Sequence, residues 1–82
     1  MKILFFASLR ETLQCDELTL ATAPMPCNVV ELKANLSEKS AQWRRAFADE
    51  RLLVAVNQTM VKDNIELSVD DEVAFFPPVT GG

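Results

Sequence analysis

DDEVAFFPPVTGG, residues Asp70–Gly82, is the stretch on which the fold turns. Val73 and Phe75 alternate with Glu72, Ala74 and Phe76, the two-residue period of a strand with one face buried. Pro77 and Pro78 have no N–H to donate, so the pairing of this strand ends there. Val79, Thr80, Gly81 and Gly82 follow. The chain has 82 residues and two glycines, and the glycines are these last two; average usage would scatter about six through its turns. The two prolines stiffen the exit. The expected organisation is therefore a body at 1–78 and a flexible, projecting tail at 79–82. Gly81 and Gly82 have no side chains, so a narrow channel can admit them with a terminal carboxylate leading. A carboxylate is a poor acyl donor until it is activated, and the usual activator is ATP, through an acyl-adenylate. This chain cannot perform that step, so a partner enzyme must.

Working outward from that strand, LLVAVNQTMV (52–61) has strand character on both sides of a turn at Asn57 and Gln58. KDNIELSVDD reads as a polar loop around a short strand, Ile65 to Leu67. At the other end, KILFFASL (2–9) is rich in strand formers and free of Pro and Gly. Strict alternation there points Ile3, Phe5 and Ala7 one way and Lys2, Leu4, Phe6 and Ser8 the other. ELTLAT (17–22) reads as a second strand, joined to the first as a hairpin with its turn near Cys15 and Asp16. Between the two halves the period changes. Val29, Leu32 and Leu36 recur at helical spacing behind Asn28, a good N-cap, with Glu31 where a capping-box acid belongs. SAQWRRAFAD (40–49) is a second, shorter helical stretch in which Trp43, Ala46 and Phe47 share a face.

The order is strand, strand, helix, then two or three strands. A right-handed crossover sets the later strands beside the first. If first and last strands are neighbours, the fold is α+β, a ubiquitin-like β-grasp. Its mixed sheet of four to five strands would pack on one main helix plus a short helix. A ferredoxin-like βαββαβ arrangement is the competitor, and it requires a full second helix.

Composition narrows the chemistry. The chain has no histidine and a net charge of −4, so it offers no imidazole base and no dense basic face for nucleic acid. Its apolar runs fall short of the ~20 residues of a membrane span. The apolar stretch Ile3–Ala7 is too short for a secretory leader, so the expected location is cytoplasmic. Cys15 and Cys27 match no zinc or redox spacing. They read as small fillers or surface thiols, with Cys27 open to slight acidification at a helix start. Asp70, Asp71 and Glu72 read as a solvated turn rather than a metal site. Phe6 and Phe76 share the outer strand face with Lys2 and Glu72, and two aromatics exposed there suggest a partner surface.

LFFASLRE, LLVAVNQTMV and above all DDEVAFFPPVTGG resemble the small, sulfur-carrying subunits of molybdopterin synthase, a ubiquitin-like family. The region from Ala21 to Arg51 follows that family in pattern more than in residues. The resemblance implies that Gly82 is adenylated by a ubiquitin-activating-like enzyme that uses ATP, and is then converted to a thiocarboxylate. It implies that the tail, Val79, Thr80, Gly81 and Gly82, enters the large synthase subunit, where its sulfur attacks a cyclic pterin precursor. Phe6, Arg10, Met60, Phe76, Pro77 and Pro78 fall where the family docks on that partner. No cofactor is expected on the chain itself, which would be a co-substrate and not catalytic alone. Carriers for thiamine or tRNA thiolation share the fold and the Gly-Gly end, and a ubiquitin-like modifier or non-catalytic module is the reading from another class.

Overall fold

The computed structural model describes residues 1–21 and 25–78. The expected tail residues Val79, Thr80, Gly81 and Gly82 lie outside them. In chain order the elements are β1 (Lys2–Phe5), α1 (Ala7–Leu13), β2 (Glu17–Thr19), α2 (Val29–Ser37), α3 (Ala41–Phe47), β3 (Leu53–Val56), β4 (Thr59–Val61) and β5 (Glu72–Phe76). The described strands form one sheet in the order β2-β1-β5-β3-β4. β1 and β5 are parallel, with Ile3 opposite Val73 and Phe5 opposite Phe75, and the other pairs are antiparallel. First and last strands are therefore central neighbours, as the β-grasp reading requires. The ferredoxin-like alternative falls, because α2 and α3 follow one another between β2 and β3.

All three helices cover one face of the sheet. Ile3, Phe5, Val54, Val56, Val73 and Phe75 meet Leu9 and Leu13 of α1, Val29, Leu32 and Leu36 of α2 and Phe47 of α3 in a single core. Aromatic packing fixes α3. Phe47 stands edge-on to Phe75 with centroids 5.1 Å apart, and Trp43 stands edge-on to Phe5 at 5.3 Å, the geometry aromatic quadrupoles favour. Trp43, Ala46 and Phe47 thus share the inward face read from the sequence. α2 begins as expected. The Asn28 side chain accepts from the Glu31 N–H at 2.9 Å and donates to the Glu31 carboxylate at 3.2 Å, a reciprocal cap.

Three expectations need correction. The first strand was read through Ser8 but stops at Phe5. Ala7 takes a left-handed φ of 55°, which turns the chain, and ASLRETL then coils into α1. Leu9 and Leu13, four residues apart, are the buried stripe of that helix. The opening hairpin is therefore not a hairpin. β1 and β2 are antiparallel partners joined by a helix, and Ala7, expected to face inward, is exposed. Lastly, Ile65–Leu67 does not form a strand. It makes an isolated bridge between Glu66 and Asn28, and the Leu67 N–H donates to the Cys27 carbonyl at 2.8 Å. Its partner is the approach to α2 rather than a strand, so no ladder extends.

The turn between β3 and β4 is at Asn57 and Gln58, as read. The cysteines are free, Cys15 half-buried and Cys27 exposed. Among the described residues no helix is long and apolar enough to cross a membrane.

Candidate functional site

The sheet face away from the helices carries the apolar patch. Cross-strand register sets Leu4 opposite Ala74, Ala74 opposite Ala55 and Ala55 opposite Met60. These four lie in one row across four strands, on the face opposite Ile3, Phe5 and Val73. The next row pairs Leu53 with Phe76. Two alanines in the middle, with larger side chains at both ends, make a shallow trough. Met60 at one end of the row is 55% exposed and Phe6, beside Phe76 in the next row, 38%, values high enough for a partner to gain by covering them. Lys2 and Glu72 pair one row above the patch, and Lys2 forms a salt bridge to Glu17 at 3.6 Å. An apolar centre with a charged rim is the anatomy of a protein interface.

Phe6 reaches this face by a different route from the one expected. It is not the outward member of an alternating strand but the residue between β1 and α1, with extended φ and ψ of −124° and 157°. Its ring stacks on Phe76 at 4.8 Å and 8°. The parity argument therefore put the ring on the right face, although the strand it assumed ends one residue earlier.

Pro77 and Pro78 continue from Phe76 into a separate cleft. Its walls are Ser8, Leu9 and Thr12 of α1, Arg45 and Ala46 of α3, and Asp49 and Leu52 beyond it. The Gln42 side-chain amide donates to the Thr12 carbonyl and ties the two helices together. The tail root is thus held between α1 and α3 at the end of β5. Arg10 is one helical turn beyond Phe6, its N–H donating to the Phe6 carbonyl at 3.3 Å. It lines a recess at the far end of α1 with Glu11, Gln14, Cys15 and Asp16. The structure therefore groups Phe6, Phe76 and Met60 on one face and Pro77 and Pro78 at its edge, with Arg10 one turn from Phe6 on α1. Gly81, Gly82, Val79 and Thr80 are outside the described residues. Sequence reasoning missed the cleft and Arg45; α1, its first wall, was hidden inside a stretch read as strand.

The acidic run has a structural job. The Asp71 carboxylate accepts from the Ser68 N–H at 2.7 Å and the Asn57 side-chain amide at 3.0 Å. These bonds, the Ser68 N–H foremost, hold its carboxyl below the usual carboxylate range. Among the described residues no group of three or more His, Cys, Asp or Glu is placed to hold a metal ion. These residues present an exposed apolar face and, at its edge, the cleft that holds Pro77 and Pro78.

The model of the ThiS family matches residues 3–82, which takes in both the patch and the tail. The chain belongs to the ThiS family. It is 46% identical over 82 residues to the molybdopterin synthase sulfur carrier subunit of Escherichia coli, covering 100% of this chain and 99% of that one. It is 38% identical, with the same coverage, to the subunit of that name from Haemophilus influenzae. The resemblance carried by LFFASLRE, LLVAVNQTMV and DDEVAFFPPVTGG thus holds along the full length. Two solution structures share the fold. Small archaeal modifier protein 1 of Methanosarcina acetivorans has a TM-score of 0.75 at 24% identity, with 99% of this chain and 94% of that one covered. A Haloferax volcanii protein has a TM-score of 0.74 at 21% identity, with 99% and 84% covered. At such identities they speak for the ubiquitin-like β-grasp of this ThiS-family chain and for nothing finer.

Proposed function

We propose that this chain is the sulfur carrier of a molybdopterin synthase, at once its small subunit and the co-substrate that brings the sulfur. Full-length identity of 46% to a sulfur carrier subunit of that enzyme is the observation that carries the reading. The geometry supports it. The apolar face runs through Phe76 directly into Pro77 and Pro78, so a partner covering that face stands where the tail leaves the domain.

In this reading an adenylating enzyme first binds the chain and ATP. A carboxylate oxygen of Gly82 attacks the α-phosphorus, pyrophosphate leaves, and an acyl-adenylate forms. A sulfide-level nucleophile, hydrosulfide, then adds at the acyl carbon, AMP leaves as the carbon–oxygen bond breaks, and loss of the S–H proton leaves Gly82 as a thiocarboxylate. Next the large subunit takes the outer face, with Phe6, Met60 and Phe76 against it, and Arg10 at its margin. The tail, Val79, Thr80, Gly81 and Gly82, enters that subunit's site. The thiocarboxylate sulfur adds to an electrophilic carbon of a cyclic pterin precursor and displaces an oxygen substituent from it, and water cleaves the acyl carbon–sulfur bond. Sulfur stays on the pterin and the Gly82 carboxylate returns. Two such deliveries supply a dithiolene. The acids, bases and pterin contacts belong to the large subunit, and these events are assigned to the cytoplasm.

Mass spectrometry of the intact chain after incubation with ATP, the adenylating enzyme and a sulfur donor tests this. A product heavier by the difference between sulfur and oxygen, with the change mapping to Gly82, is expected. An unmodified terminus, or recovery of the chain as an isopeptide on other proteins, would defeat the reading.

A further inference from the structure

The cleft that holds the tail root carries a charge that neither the patch nor the tail chemistry uses. Arg45 is exposed on α3 and lines the cleft with Pro77 and Pro78. Among the described residues the one carboxylate in the same lining is Asp49, and it is already engaged. Its Oδ1 accepts from the Arg51 N–H and Nε at 2.9 and 3.0 Å, and its Oδ2 accepts from Nη2 at 3.1 Å. That ion pair cancels itself, and Arg45 remains as the net charge at the root. Among the described residues it has no carboxylate at ion-pair distance.

The opposite end of β5 has the other sign. Asp70, Asp71 and Glu72 follow one another there, with Lys2 opposite Glu72 and bridged to Glu17. β5 starts at Glu72 and delivers the chain to Arg45, five strand residues away, roughly 17 Å at strand spacing. In a domain of net charge −4, β5 therefore runs from an acidic turn to a cleft whose unpaired side-chain charge, among the described residues, is the Arg45 guanidinium.

Resting on the proposed function, we infer that Arg45 is a second contact for the large synthase subunit and meets a carboxylate on the rim of the channel that takes the tail. The outer face lies on one side of Pro77 and this cleft on the other, so a protein that closes around the tail root must touch both. The apolar face supplies area. The guanidinium, at the rim and within reach of solvent, supplies orientation and encounter rate, the usual contribution of a rim charge. An acidic rim draws Arg45 toward it and repels the Asp70–Glu72 turn.

The test is the binding of the full chain to the large subunit from the same organism, for parent, Arg45→Glu, Arg45→Lys and Phe76→Asp, at low and high salt. Arg45→Glu is expected to weaken binding about tenfold at low salt, mostly through the association rate. That loss should shrink to about twofold near 0.5 M salt, where exposed charges are screened. Arg45→Lys should stay within about twofold of the parent, because it keeps the charge. Equal low-salt affinities for parent and Arg45→Glu would overturn the inference, as would a loss that salt leaves unchanged. Those results leave the proposed function standing if Phe76→Asp still binds poorly. A parent chain that does not bind at all removes both.

Discussion

Asn57 and Gln58 sit side by side with φ of 50° and 69°, the left-handed region that side chains with a Cβ avoid. They have the same backbone conformation but different neighbours. Gln58 is exposed, and glycine there removes a steric cost. Asn57 cannot be replaced so cheaply. Its amide nitrogen donates to Asp71, its amide oxygen accepts from the Glu72 N–H at 3.0 Å, and its backbone N–H donates to the Glu72 carbonyl at 2.8 Å. Gln58→Gly should therefore raise stability by about 0.5 kcal/mol, the steric relief less the extra freedom glycine gives the unfolded chain. Asn57→Gly should lower it by about 1–2 kcal/mol through two lost side-chain hydrogen bonds. The second effect depends on pH. The carboxyl of Asp71 titrates below its ordinary value of 3.8 when folded. Such a group contributes stability above that ordinary value and loses it as the pH falls through the lowered one. The Asn57→Gly deficit should accordingly narrow under acid conditions below pH 3.8. Thermal melts at neutral and acid pH check this, and a gain at Asn57 or a pH-independent deficit would contradict it.

Adjacent residues of β5 divide between two jobs. Phe75 is fully buried and stacks or packs edge-on against Phe5 and Phe47, whereas Phe76 is half-buried and stacks on Phe6. Phe75→Ala should cost about 3–5 kcal/mol, as large-to-small changes in aromatic cores do, a large share of the 5–15 kcal/mol available to a domain. Phe76→Asp should instead lower affinity for the large subunit more than it lowers the melting temperature. Comparable losses in both would mean that Phe76 belongs to the core. β5 was readable from sequence because its alternation, proline stop and parity all agree. α2 was readable for the same reason, through Asn28, Glu31 and the Val29–Leu32–Leu36 stripe. α1 was not. FFASL has the composition of a strand, and the break lies in the backbone of Ala7, a residue whose side chain gives no warning of positive φ. Helices this short carry only two buried positions, Leu9 and Leu13, too few to outweigh a run of strand formers. The patch was legible through Phe6 and Phe76. The cleft was not, since it needs α1 and α3 to approach each other, and that approach rests on the Gln42 bond to Thr12 between segments 30 residues apart.

At the scale of the whole molecule, a docking face and a tail root meet at one edge, and reach becomes the governing quantity. If sulfur must arrive at a fixed point in another subunit, the distance from Pro78 to the terminal atom is a functional dimension. Deleting Gly82, or adding one residue after it, should abolish sulfur delivery while melting temperature and large-subunit affinity stay close to the parent's. Small displacements of reacting atoms cost large factors in rate. Delivery that survives either change would show that reach is not critical. Sequence alone pointed to this arrangement through the Gly-Gly end and the double proline, but not to the placing of Arg45 and the Asp70–Glu72 turn at opposite ends of β5, because only the fold brings α3 to the end of that strand. The parallel pairing of β1 with β5 has a further consequence for synthesis. The strand that leaves the ribosome first finds its central neighbour in the one that leaves nearly last, and β3 waits for that same neighbour. A nascent chain that has not yet released β5 has nothing to join its two halves, so closure of the sheet waits on that one strand.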